Sequence, residues 1–288
     1  MLETLIGHCC EIIGKLPWEC CQYTFMQMAL LTMLITAPLT AAAGVQVINY
    51  RMAFFADAIS HSAFAGAALG ILFCGANAPL WSMPLLAVLI GLGIMYLKQS
   101  GKLSGDTVIG VFFAFTVSLG LLLTSKEASL AKLSQNFIFG DILTVTPQDI
   151  CFLFILLVIY AIFITFAYNP LLQIAIDEEI PQAHRVRCKL CNYLHIMLLA
   201  LIVISCVKSI GVLLVSAMLI VPAATARNLA KSAGSTFLYA VITGLIAGIA
   251  GLFIAVQEWA NTAAGAAVVM INCIIFAFSI AVKRLFRQ

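Results

Sequence analysis

The strongest constraint on this chain is how far apart its charges lie. No Asp, Glu, Lys or Arg occurs within residues 20–50, 150–176, 190–207, 232–257 or 259–282, and between Met52 and Leu97 the single charged side chain is Asp57. A hydrocarbon layer about 30 Å thick takes about 20 helical residues at 1.5 Å each. Each of these runs is therefore about long enough to cross a bilayer. Inside one, only a helix or a closed barrel satisfies the backbone, and runs of this length fit helices. Only 9% of the 288 residues are charged, against about 25% in a soluble domain, so the polar surface needed to cover a water-soluble globule is missing. The formal net charge of +3 comes from short clusters at segment ends, which excludes a nucleic-acid-binding domain.

These runs predict an all-α polytopic membrane protein with about eight or nine spans. An N-terminal segment, 1–21, precedes a transmembrane domain over 22–288. The expected spans are about 22–46, 53–75, 79–97, 107–125, 149–168, 191–207, 210–224, 235–256 and 264–282. The segment at 210–224 lies between Gly211 and Pro222 and is expected as a partial or broken helix. Basic residues concentrate in alternate short loops: Arg51, Lys98 with Lys102, His184 to Lys189, Arg227 with Lys231, and Lys283, Arg284 and Arg287. Cytoplasmic loops carry such an excess, which puts the C-terminus inside the cell and the N-terminus outside. Lys126, Lys132 and Lys208 depart from the pattern.

Two connections are long. Residues 126–148 are expected outside, with a turn at Gly140–Asp141 and a helix start near Thr146–Pro147. Residues 169–190 are expected inside. Their mix of apolar, acidic (Asp177 to Glu179) and basic residues suits either a solvated connector or a short surface helix able to meet a soluble partner. The cysteines give no framework. Cys74, Cys151, Cys206 and Cys273 sit in apolar runs as small hydrophobes, and the Cys9–Cys10 and Cys20–Cys21 doublets are free to oxidise if they face outward. Cys188 and Cys191 form a lone CxxC, short of the four ligands of a structural zinc site. The N-terminus has no basic region typical of a secretory signal.

Asp57 and His61 carry the chemistry. A charge deep in a span costs about 2.5–3.5 kcal/mol on insertion scales, so something must offset it. Residues i and i+4 share a helix face, with Cβ atoms about 5–6 Å apart. A carboxylate oxygen and an imidazole nitrogen can then point at one cation, a pairing that suits Zn²⁺, Mn²⁺ or Fe²⁺ better than Cu⁺. The alternative is that the two side chains pair with each other or with nearby backbone, or that Asp57 carries a proton. Two ligands leave a metal incompletely coordinated, and a two-fold partner would bring the number to four. On the same helix Gly66 and Gly70 make a small-residue surface, as do Gly244 and Gly248 elsewhere. His195 reads as a packing residue.

The stretches YRMAFFADAISHSAFAGAALG, FIFGDILTVTPQDI and IGVLLVSAMLIVPAATARNLA, in this order, closely resemble the permease subunits of bacterial ABC importers for zinc, manganese and iron. The resemblance runs from about Phe25 to Val282. It implies the ABC importer permease fold and an import of a divalent transition metal driven by a separate cytoplasmic ABC ATPase. It also implies an extracytoplasmic metal-binding protein and a second permease subunit, of the same chain or a paralogue. Asp57 and His61 would line the metal path, residues 174–188 would form the cytoplasmic coupling segment, and Phe139, Gly140 and Asp141 match an external F-G-D stretch. The chain departs from the family's pattern at Ala65–Gly66, at His184 and Arg185 after Ala183, and at NTAAGAAVV near the last external loop. No phosphate loop of the Gly-x-x-x-x-Gly-Lys-[Ser/Thr] type occurs, so the chain itself is expected not to be an enzyme, with no resident cofactor. Two other readings stand beside this one: a proton-coupled carrier using Asp57, and a haem-bearing anchor using His61 and His195.

Overall fold

A computed structural model describes residues 2–15, 17–74, 79–100, 103–125, 142–176, 185–257, 260 and 262–286. The long elements among them are helices: α1 (Leu2–Gly14), α2 (Thr24–Asn49), α3 (Phe55–Cys74), α4 (Pro79–Ser100), α5 (Gly105–Thr124), α6 (Pro147–Ile176), α7 (Arg185–Ile210), α8 (Val212–Leu229), α9 (Ala233–Val256) and α10 (Ala264–Phe286). Short 3₁₀ turns occur at Glu19–Gln22 and Ile142–Thr144, and no strand occurs among the described residues. There, nine helices, α2 to α10, are long and apolar enough to cross a membrane.

Three features differ from the expectations. The segment at 1–21 contains α1, whose Ile6 and Cys10 are buried while His8 and Glu11 face outward. The expected loop at 169–190 is helical at both ends, because α6 continues through Pro170 to Ile176 and α7 begins at Arg185. Only 177–184, with the acidic cluster, lies outside the described residues. The segment expected to be broken within 210–224 is instead continuous through Pro222 to Leu229. A proline inside a helix frees one carbonyl, whereas ending the helix in hydrocarbon would expose several backbone groups, so spans tolerate it. The break falls at Gly211, between α7 and α8, with φ 85 and ψ 161. That backbone conformation is open essentially to glycine alone.

The chain forms two compact units. One comprises Met1–Val45, Phe139–Val158 and Lys208–Gln288, the other Gln46–Ile138 and Ile159–Val207, with α2, α6 and α7 running through both. In the first, α8, α9 and α10 pack pairwise on one another. Close contact comes from glycine. A Cβ on Gly44 of α2 would lie 1.7 Å from the Leu219 carbonyl oxygen of α8, and one on Gly251 of α9 would lie 2.5 Å from Val268 Cα of α10. Gly248 of α9 sits over Met33 Sδ in the same way. Helix ends are capped where the chain leaves the spans: Ser232 and Ser235 form a reciprocal capping box at α9.

In the second unit α3 packs on both α4 and α5. Its inner surface is rich in small residues, with Ala56, Ala58, Ala63, Ala65 and Ala67 buried beside Ser60, Ser62, Phe55 and Ile59. Gly66 is pressed against α4 of the same chain, where a Cβ would come within 3.0 Å of Met83 Cα and 3.1 Å of the Ser82 carbonyl. On the other side Gly120 of α5 receives the Phe64 ring.

Gly44→Ala should remove about 3 kcal/mol or more of stability, because the new methyl meets backbone rather than a movable side chain. Gly110→Ala, at a position with open space around it, should be close to neutral. Thermal unfolding of the two purified variants in detergent checks the contrast, and equal melting temperatures would refute the α2–α8 contact.

Candidate metal site

Asp57 lies in the first turn of α3 rather than at mid-span. The turn that leads into it runs between Asn49 and Phe55, with Arg51 at φ 53 in the left-handed region. At a helix start the first N–H groups have no partners within the helix, and the macrodipole favours a negative charge. The intramembrane carboxylate is therefore offset partly by its own helix.

His61 follows one turn later on the same face. Both side chains are partly exposed, while Ala56, Ala58, Ile59, Ser60, Ser62 and Ala63 around them are buried. Phe64, one turn further along this stripe, is also partly exposed. Asp57 and His61 thus lie along a side of α3 that is incompletely covered. Gly66 faces away from it, toward α4, so the small-residue surface serves packing within the chain and not an approach at Asp57. The His61 ring stands edge-on to Phe113 of α5, with centroids 5.0 Å apart and planes at 89°. An aromatic wall of this kind orients the imidazole without occupying both of its nitrogens.

Among the described residues no group of three or more His, Cys, Asp or Glu side chains converges as a metal site. Among the described residues the candidate site holds one carboxylate and one imidazole, so a bound divalent ion would need further ligands from elsewhere. His195 of α7 has different surroundings. Its ring stacks on Tyr50 (5.7 Å) and Phe163 (6.3 Å) and tilts toward Tyr160 (6.1 Å), and it is buried, consistent with a packing role.

The sequence reading missed one charged pair. Lys208 Nζ donates to Asp149 Oδ1 at 2.9 Å, and Asp149 also accepts from the Thr146 hydroxyl and backbone N–H at the start of α6. Lys208 therefore breaks the loop-charge pattern with its charge already matched. The spacing Thr146-x-x-Asp149 is a capping signal that was available in the sequence. Cys9, Cys10, Cys20, Cys21 and Cys191 are free thiols. Phe139, Gly140 and Asp141, most of the expected coupling segment and the Cys188 side chain lie outside the described residues.

Residues 22–283 match the ABC 3 transport family. The high-affinity zinc uptake system membrane protein ZnuB of Haemophilus influenzae is 30% identical over 252 residues, covering 88% of this chain and 95% of that one. The manganese import system permease protein ScaB of Streptococcus parasanguinis is 33% identical over 258 residues, covering 90% of each chain. The manganese transport system membrane protein MntC of Listeria monocytogenes is 31% identical and covers 88% of this chain and 89% of that one. Among solved structures, PsaBC from Streptococcus pneumoniae in complex with Fab superposes with a TM-score of 0.75 at 28% identity, covering 95% of both chains. With nine apolar helices among its described residues and a match over nearly its whole length, this multi-pass membrane protein belongs to the ABC 3 transport family.

Proposed function

We propose that the chain is the permease subunit of an ATP-driven importer that carries a divalent transition metal ion, manganese, zinc or iron, into the cytoplasm. One observation supports this most: Asp57 and His61 share the incompletely covered stripe of α3, in a chain whose relatives are named for zinc uptake and manganese import. Asp57 supplies a hard oxygen and a negative charge, and neutral His61 supplies a borderline nitrogen. Two ligands from one chain hold an ion weakly, and weak binding lets a transported ion leave. A second permease, the same chain or a paralogue, would add the remaining ligands across a two-fold axis.

The chain supplies the path and a partner ATPase supplies the hydrolysis. Residues 174–188, from the last turn of α6 into the first turn of α7, are the proposed dock for that ATPase. Their basic run places them inside the cell, and they carry both charge signs. An extracytoplasmic metal-binding protein would deliver cargo at the opposite face. The family match favours this reading over a proton-coupled carrier, in which uptake would collapse with the proton gradient.

Asp57→Ala and His61→Ala should each abolish metal uptake while the protein still inserts in the membrane. Uptake of radiolabelled zinc, manganese and iron checks this, and normal uptake of all three by well-expressed variants removes the site assignment. Replacing Glu178 and Glu179 together by Lys should weaken co-purification with the ATPase. If instead Cys188 and Cys191 react with a membrane-impermeant thiol reagent added outside intact cells, the orientation and the dock both fail.

A further inference from the structure

The second unit buries polar atoms that its own side chains do not satisfy. His195, Asn192 and Tyr160 are each 1–2% exposed. Yet His195 Nδ1, Asn192 Oδ1 and the Tyr160 hydroxyl have no hydrogen-bond partner in the protein. Asn192 and His195 lie three residues apart on α7 and so share a face, and the Tyr160 ring of α6 lies 6.1 Å from the imidazole. On α2, Gln46 is buried with Nε2 unpartnered, one turn before the Tyr50 ring that stacks on His195. A buried polar group left unpaired costs about 1–3 kcal/mol, and the surrounding lipid supplies no water to relieve it.

We propose that α2, α6 and α7 enclose a hydrated site within the membrane, with water bonded to Tyr160 Oη, His195 Nδ1 and Asn192 Oδ1. The chemistry of the group selects the ligand. An amide oxygen that accepts, an imidazole nitrogen that accepts or donates according to its tautomer, and a hydroxyl that does either match a molecule that both gives and receives hydrogen bonds. Tyr50 and Phe163 stack on the imidazole ring, so what remains for a ligand is small and near the ring edge. Exchanging the Asn192 amide oxygen and nitrogen does not remove the need, because its present donor contact is only to Met95 Sδ at 3.8 Å, a weak acceptor. A bare divalent ion fits poorly, since these groups are all neutral and a buried charge without a counter-charge is strongly disfavoured. Buried waters typically take two to four such partners. A water-bridged contact can also re-form after a small displacement of α7, the helix that leads out of the proposed dock.

X-ray radiolytic footprinting of the full-length permease in lipid nanodiscs reads this directly, because hydroxyl radicals form from water in place and modify the side chains beside it. Tyr160, His195 and Met95 should be modified despite their burial, whereas Met26 and Phe55, equally buried, should not. Tyr160→Phe keeps the ring and removes the hydroxyl, so modification at His195 and Met95 should fall. Unmodified Tyr160, His195 and Met95 in a sample where exposed Tyr96 reacts would overturn the proposal, as would unchanged labelling in Tyr160→Phe. Labelling that disappears after chelator treatment would also overturn it, by assigning the site to a metal ion. None of these outcomes depends on transport, so the proposal fails or stands separately from the permease reading.

Discussion

Helices in lipid have little hydrophobic force pulling them together, since hydrocarbon is as apolar as leucine. They stay together where backbones come close enough for dispersion contacts to accumulate. In this chain the nearest approach is Gly44 against the Leu219 carbonyl, with Gly248 and Gly251 making similar contacts in the same unit. In the other unit the alanine surface of α3 and Gly66 do the same work against α4 and α5. Asp57, His61 and Phe64 form the partly exposed stripe at the border of these contacts, with His61 and Phe64 still touching Phe113 and Gly120 of α5. The position of the candidate site follows from where the small residues are.

Eight or nine spans were legible because charge-free runs of this length have few other solutions in a chain so poor in charge. The boundaries were less so, and the errors trace to proline. The expected span over 149–168 stopped just short of Pro170, and Pro222 was taken as a flank of a broken segment, yet both prolines lie inside continuous helices. The sequence showed Gly211 beside the suspected break, but only the dihedral angles show that the break is there and not at Pro222. Helix α1 went unread because thirteen residues with two glutamates carry no span signal, and only docking of Ile6 and Cys10 reveals its buried side.

Asp57 and His61 stood out in sequence as polar residues in an apolar run. Their spacing gave the shared face, but not that Asp57 sits where its helix begins. That position changes the electrostatics, since a carboxylate at a helix start is partly offset by unpaired N–H groups while one at mid-span is not. The direction of Gly66 was also hidden, because GxxxG tells that a helix can be approached closely and not by which neighbour. His195 and Asn192 are a third case: each reads as ordinary packing until the buried atoms around them are matched one by one.

Helix α6 has 30 residues, which makes it about 45 Å long, about 15 Å more than the hydrocarbon is thick. Unless steeply inclined, such a rod stands proud of the bilayer at one end, and Pro170 falls near the level where it would emerge. A proline there leaves the carbonyl of Phe166 without its usual donor and softens bending at that point.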